Sequence, residues 1–197
     1  MNTEEYQTKT NLILPFSGTW MVGNGGRDHT KNSHRKAGGS GPKNQMFAYD
    51  FAKNHKEKGK SLEDYEAFGE EVISPADGKI TQVIDGCIDV AIGESDRFVS
   101  TGNAVIIDHK SGEFSVLAHF QHNSIKVKPN QEVKQGDVLG LCGNTGNTSE
   151  PHIHYHLQDN ALLHRGIGLP IKFKKILVDG TQLENIELEQ GQRVSNV

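Results

Sequence analysis

The residues with the most chemical potential stand together in Pro151-His152-Ile153-His154-Tyr155-His156. On an extended strand, side chains at i, i+2 and i+4 share a face, so the three imidazoles project together while Ile153, Tyr155 and Leu157 line the other side. Neighbouring imidazoles are then roughly 6.6 Å apart along the backbone, and His152 and His156 about 13 Å, so one metal ion can use two of them at most. The alternative is a polar strand face carrying solvated histidines. Two further residues suit the same chemistry: His119 ends the apolar run Phe114-Ser115-Val116-Leu117-Ala118, and Asp50 lies inside Phe47-Ala48-Tyr49-Asp50-Phe51. A carboxylate buried without a partner is penalised by several kcal/mol, so Asp50 is expected to be exposed, paired with a cation or ligating a metal.

Two histidines and one aspartate on inner strand faces make a zinc set with one position left for water, whose pKa then falls towards 7. The chain contains no His-Glu-x-x-His. A zincin helix with its glutamate base is therefore excluded, and a general base has to come from the spare histidines.

The elements that position these residues read mostly as strands. Runs at 72–73, 79–83, 104–108, 114–119, 125–127, 138–141 and 153–157 are each bounded by Gly, Pro, Asn or Asp. Glycine is frequent, at 22 of 197 residues, and proline scarce, at 6, which favours tight turns over disorder. The charged stretch 52–71 has little apolar periodicity and contains Gly59, so it reads as an insertion with one helix. Residues 23–44, rich in glycine and polar side chains, read as a long surface loop, and the end beyond Gly180 as polar and frayed. One domain over 1–197 is expected, with a core at about 47–158, an N-terminal ligand loop at 20–46 and a C-terminal extension at 159–197.

Composition narrows the function classes. Lys and Arg total 21 against 25 Asp and Glu, a net charge of -4, which lacks the basic footprint of a nucleic-acid binder. No apolar run approaches the roughly 18 residues of a membrane span, so a soluble chain without a transmembrane segment is expected. The N-terminus carries two acids where a signal peptide carries positive charge, and no apolar run follows, so no export signal is expected. Cys87 and Cys142 lack metal-pair spacing and read as small buried hydrophobes rather than a disulfide framework.

Several segments together resemble the lysostaphin-type zinc endopeptidases, which cut the peptide cross-links of bacterial peptidoglycan. Val72-Ile73-Ser74-Pro75-Ala76-Asp77-Gly78-Lys79-Ile80 resembles the family's entry strand, Ala104-Val105-Ile106-Ile107-Asp108-His109 its central strand, and Val116-Leu117-Ala118-His119-Phe120 its strand ending in histidine. Val133-Lys134-Gln135-Gly136-Asp137-Val138-Leu139-Gly140 then leads through a glycine-rich turn into Pro151-His152-Ile153-His154, the most specific signature. About 110 residues carry the likeness.

The resemblance implies a mainly β fold, a compact antiparallel sheet core of barrel-sandwich type with long loops and little helix. It implies one zinc ion per chain, with Asp50 and His154 as ligands, and His119 and His152 as the catalytic pair that activates water and stabilises the oxyanion. The first ligand is His34 or His29, and the Asn32-Ser33-His34 context resembles a long-loop subset of the family and favours His34. His156 falls where the family tolerates several polar residues, so a supporting role and an exposed one both stay open. His55, His109, His122 and His164 fit no motif position and read as surface residues. The implied partner is peptidoglycan or another peptide, the implied location the cell envelope or exterior, and the chain is expected to be a monomer. Competing readings are a non-catalytic binding or regulatory relative, a peptidase acting on a non-wall peptide, and a biotinyl or lipoyl carrier, whose modified lysine would have to be Lys110.

Overall fold

Most of the apolar runs fold as strands, and the polar side chains they carry converge on one cleft. The structure is a computed structural model that describes residues 3–28, 30–35, 43–54, 59–163 and 165–197; His29, His55 and His164 lie outside the described residues. In chain order the strands are β1 (Trp20–Gly25), β2 (Tyr49–Ala52), β3 (Glu71–Ile73), β4 (Gly78–Ile84), β5 (Asn103–Asp108) and β6 (Phe114–Phe120). They continue with β7 (Glu132–Val133), β8 (Val138–Leu141), β9 (Ile153–Gln158), β10 (Gly168–Leu169), β11 (Phe173–Val178), β12 (Thr181–Ile186) and β13 (Arg193–Asn196). The large sheet runs β12-β11-β13-β1-β2-β9-β6-β5-β4-β7, with β10 on β9, and β3 pairs β8 separately. All pairings between these strands are antiparallel. The mainly β expectation holds, and helix among the described residues is confined to short 3-10 turns.

Strand period explains which side chains meet. Val105, Ile107, Leu117, Ile153, Tyr155 and Leu157 point into one hydrophobic core with Trp20, Phe51 and Phe173. That leaves Ala118, His154 and His156 on the opposite face of β6 and β9. Phe16 stacks on Trp20 at a ring separation of 4.8 Å and meets Phe51 edge-on at 5.0 Å, so the N-terminal segment is anchored across the back of the sheet. The buried Glu113 carboxylate accepts from the Tyr6 hydroxyl and from the backbone N–H groups of Lys9 and Thr10, which ties the same segment to β6.

Several expectations need correction. Residues 125–127 are not a strand, although Val127 still enters the core and the Lys126 N–H donates to the Leu139 carbonyl. The stretch 52–71 contains no α-helix among its described residues, only a 3-10 turn at Leu62–Asp64. The region beginning at Gly23 is not all loop, since β1 pairs β2. The end beyond Gly180 is ordered: β12 pairs β11, and β13 is wedged between β11 and β1. Cys142 is buried as expected, Cys87 only partly, and both are free thiols.

His109 is likewise no plain surface residue. Its Nδ1 lies 2.8 Å from the Asp77 carbonyl, which can only accept, so Nδ1 carries the proton. Nε2 therefore accepts from the Ser115 hydroxyl at 2.7 Å, and Ser115 accepts in turn from the buried Tyr155 hydroxyl at 3.0 Å. Burial pushes the His109 pKa below its ordinary value, against the hydrogen bond to Asp77 that raises it. A folded-state pKa below the unfolded value means that the contribution to stability is complete above the unfolded pKa, near 6.5, and is lost as pH falls from there through the lower folded-state pKa. In urea titrations between pH 7.5 and 5.5 the wild type is expected to lose stability more steeply than His109→Asn. Parallel pH profiles would show that the neutral imidazole is not what holds this chain of hydroxyls.

Candidate metal centre and catalytic groups

Register brings the central pair together. Asp50 on β2 lies directly opposite His154 on β9, and His154 opposite Ala118 on β6, one residue before His119. Asp50 Oδ1 is 2.9 Å from His154 Nδ1, and Asp50 Oδ2 is 2.9 Å from His34 Nε2. Burial pushes the Asp50 carboxyl up in pKa. The charges of His34 and His152 and the hydrogen bonds from His154 and His34 outweigh it and hold the group well below the usual carboxylate range.

His34 reaches this place from the 3-10 turn Ser33–Arg35, far from Asp50 in sequence. Two amides fix that turn. The buried Asn32 donates to the Gly26 and Met46 carbonyls and accepts from the His34 N–H at 2.9 Å. Asn24 donates to Asp50 Oδ2 at 2.8 Å and accepts from the Ser33 N–H at 2.9 Å, so one side chain couples the turn to the carboxylate. Asn24 is aimed there because the β1–β2 register shifts between Val22 and Asn24, a bulge at Gly23.

The donor set suits zinc. Tetrahedral coordination with bonds of about 2.0–2.2 Å places neighbouring donor atoms roughly 3.3 Å apart. One ligand atom from each of His34, Asp50 and His154 lies within 4.8 Å of the others. Three ligands of this kind leave a position for water or substrate, the pattern of a catalytic rather than a structural zinc site.

His119 and His152 flank the set, with ring centroids 4.8 Å apart. His119 occupies a bulge of β6, where Asn103 faces Phe120 but Ala104 faces Ala118, and its φ is +66°, a left-handed conformation that costs a non-glycine residue about 1–2 kcal/mol. Its Nδ1 donates to the Thr145 carbonyl at 2.7 Å. Burial first, and then the neighbouring His152 and His154, keep its pKa well below the ordinary histidine value. In His152, Nδ1 lies 2.8 Å from the Glu150 carbonyl, which makes Nδ1 the donor, and Nε2 stands 3.6 Å from Asp50 Oδ1. Each ring therefore carries its proton on Nδ1 against a main-chain carbonyl and leaves Nε2 as the atom able to take or hold another.

The five residues line a cleft of about 450 Å³ together with Ser100, Thr101 and Asn147. A second groove of about 370 Å³, walled by Asn24, Lys31, Glu150 and Gln190, continues past Asp50 and His152. His122 is exposed and outside the site. His156 is not exposed: it is 1% accessible and stands against His154. Asn24 and Asn32 carried no sequence signal beyond the Asn-x-His context, because their roles exist only once the turn is docked.

Residues 58–164, more than half of the chain, match the family model described as Peptidase family M23. The matched span contains His119, His152 and His154 and begins after His34 and Asp50. The cell division protein DipM of Caulobacter vibrioides is 31% identical over 46% of this chain and 13% of its own length. The peptidoglycan DD-endopeptidase ShyA of Vibrio cholerae is 41% identical over 28% of this chain and again 13% of its own length. The chain thus spans a small part of these relatives. Among solved structures, the M23 metalloprotease pseudoalterin from the deep sea superposes with a TM-score of 0.51 at 18% identity, covering 90% of this chain and 86% of that one, and so shares the fold. No helix among the described residues is long and apolar enough to cross a membrane. The β core, the histidine-bearing strand and the family match together identify the chain as a member of peptidase family M23.

Proposed function

We propose that this chain is a zinc-dependent endopeptidase acting on the peptide cross-links of bacterial peptidoglycan, with His34, Asp50 and His154 holding one zinc ion and His119 and His152 as its catalytic residues. The observation that carries the reading is the convergence of a His-Asp-His donor set with two imidazoles whose Nε2 atoms are left for proton transfer. Zinc bound there would supply a Lewis acid for the scissile carbonyl and acidify water towards a pKa near 7. The chain's own residues do the rest. One Nε2 takes a proton from the attacking water and returns it to the leaving amine, while the other, protonated, donates to the oxygen that gains charge. Asn24 and Asn32 keep His34 and Asp50 in place between turnovers, and the two grooves give an extended peptide a path across the site. The name of ShyA, a peptidoglycan DD-endopeptidase, favours a wall substrate and with it an envelope location.

The test is digestion of purified sacculi from several bacterial groups, with a pentaglycine peptide alongside. Release of new amino groups is expected, abolished by a zinc chelator and restored by zinc, with near-stoichiometric zinc in the purified chain by elemental analysis. Zinc without hydrolysis of any wall would direct the search to a non-wall peptide, and absence of zinc would favour a binding role.

A further inference from the structure

Beyond the metal-binding face of His154 lies a second run of buried polar side chains that the peptidase chemistry does not use. His154 Nε2 is 3.0 Å from His156 Nδ1, and His156 Nε2 is 3.1 Å from Gln158 Oε1. All three residues lie on β9 two apart, so strand period places them side by side on one face. The cover over that face is Asn44, from the 3-10 turn Lys43–Gln45, whose Nδ2 donates to Gln158 Oε1 at 3.2 Å. His154, His156, Gln158 and Asn44 are each no more than 4% exposed.

The proton positions in this run follow from its far end. Gln158 Nε2 is 2.6 Å from the Asn160 carbonyl and 3.2 Å from the Leu162 carbonyl. Main-chain carbonyls only accept, so the nitrogen of the amide must face them and the oxygen must face His156. The reverse orientation would set an amide oxygen against two carbonyl oxygens. Asn44 Nδ2 also stands near His156 Nε2, at 3.4 Å, but it donates to Gln158 Oε1 at the shorter 3.2 Å; because that oxygen only accepts, His156 carries its proton on Nε2 at 3.1 Å from it, and the neutral ring presents a lone pair at Nδ1. A metal ion at Asp50 would take the place of the proton that His154 Nδ1 otherwise lends to Asp50 Oδ1 at 2.9 Å, and His154 would then donate from its own Nε2 to His156 and offer the Nδ1 lone pair to the metal. Two backbone carbonyls thereby dictate which nitrogen of His154 is offered to a metal.

We infer that His156 and Gln158 are positioning residues that lock His154 in the tautomer with a free Nδ1, and that they set the affinity of the metal centre from behind it. The inference rests on the metal reading proposed above. It replaces an exposed role for His156 by a supporting one. Groups that hold a ligand histidine's other N–H commonly contribute 10- to 100-fold in metal affinity, by fixing ring orientation and raising ligand basicity.

The experiment combines imidazole nitrogen NMR of the zinc-loaded wild type with zinc affinities of variants. The expected spectrum shows His156 protonated on Nε2 and unprotonated on Nδ1. His156→Phe fills the same buried volume without an acceptor and is expected to weaken zinc binding by roughly 10- to 100-fold. His156→Asn, whose side-chain oxygen reaches about where Nδ1 stood, is expected to recover most of that loss. Gln158→Met removes the anchor while keeping the shape, and is expected to weaken zinc and let both His156 tautomers appear. A purely structural role would lower thermal stability without moving zinc affinity in this order. The spectrum is taken on the unaltered chain, so it decides even where a variant does not fold. His156 protonated on Nδ1, or His156→Phe with wild-type zinc affinity, overturns the inference while leaving the metal reading intact. A wild-type chain that binds no zinc overturns both.

Discussion

Alanine in place of His154 is expected to empty the metal centre, and peptidase activity is expected to vanish with the metal. His154 stands opposite Asp50 in register and directs Nδ1 at the carboxylate, so its removal takes one of three donors from the centre of the set. Among the described residues no neighbouring imidazole is placed to replace it: His156 lies behind the His154 ring, and the Nδ1 edges of His152 and His119 are held by the Glu150 and Thr145 carbonyls. The expected loss of zinc affinity is greater than the roughly 100-fold attached to supporting groups, because a ligand itself is gone. His34→Ala and Asp50→Ala should behave alike. His29→Ala should keep zinc and activity, since His34 already reaches Asp50 Oδ2 at 2.9 Å. Zinc content by elemental analysis and affinity by competition with a chelator check all four. A metal-free His29→Ala would move the first ligand to that residue without disturbing the family membership. A His154→Ala variant with full zinc would place the metal elsewhere.

How far the sequence anticipated this site depends on whether each residue acts through its own element or through a distant one. Strand period sets the face of His154, and Asp50 meets it because β2 and β9 are neighbours in the sheet, whereas His119 reaches the same cleft only through the bulge in β6, which no period announces. The apolar runs that marked β5, β6 and β9 are strong because both faces of these central strands are buried. At the other end of the sheet the signal fails for a physical reason. β12 is partly or fully exposed at every position, so selection by burial leaves no alternation to read, and the two lysines in Phe173-Lys174-Lys175-Ile176 blur β11. β1 was hidden by its own bulge, since a register shift at Gly23 breaks the period that identifies a strand. The fate of His156 was undecidable locally. Its face is correct from period, but its burial comes from Asn44, a residue more than a hundred positions away. The same holds for Asn24 and Asn32, whose amides acquire partners only after the His34 turn docks.

Removal of either flanking histidine should separate catalysis from metal binding. In His119→Ala and His152→Ala, zinc is expected to stay near full occupancy and substrate binding to change little, while turnover falls by roughly 10² to 10⁴. The geometry behind this is the pair of Nδ1 donors held by the Thr145 and Glu150 carbonyls, which fixes both Nε2 atoms in the cleft beside Asp50 and His154 without making either ring a donor to the metal set. The substitution at 119 also leaves a β-carbon on a backbone at φ +66°, so the strain remains after the imidazole is gone, and the unfolding free energy of His119→Ala should be measured beside its turnover. The double variant is expected to be hardly slower than either single one. Proton transfer to the leaving amine and stabilisation of the developing oxyanion belong to one transition state, and groups that act together there are strongly non-additive. Losses that multiply would assign the two histidines to separate steps, and loss of zinc from either single variant would make that residue a ligand instead.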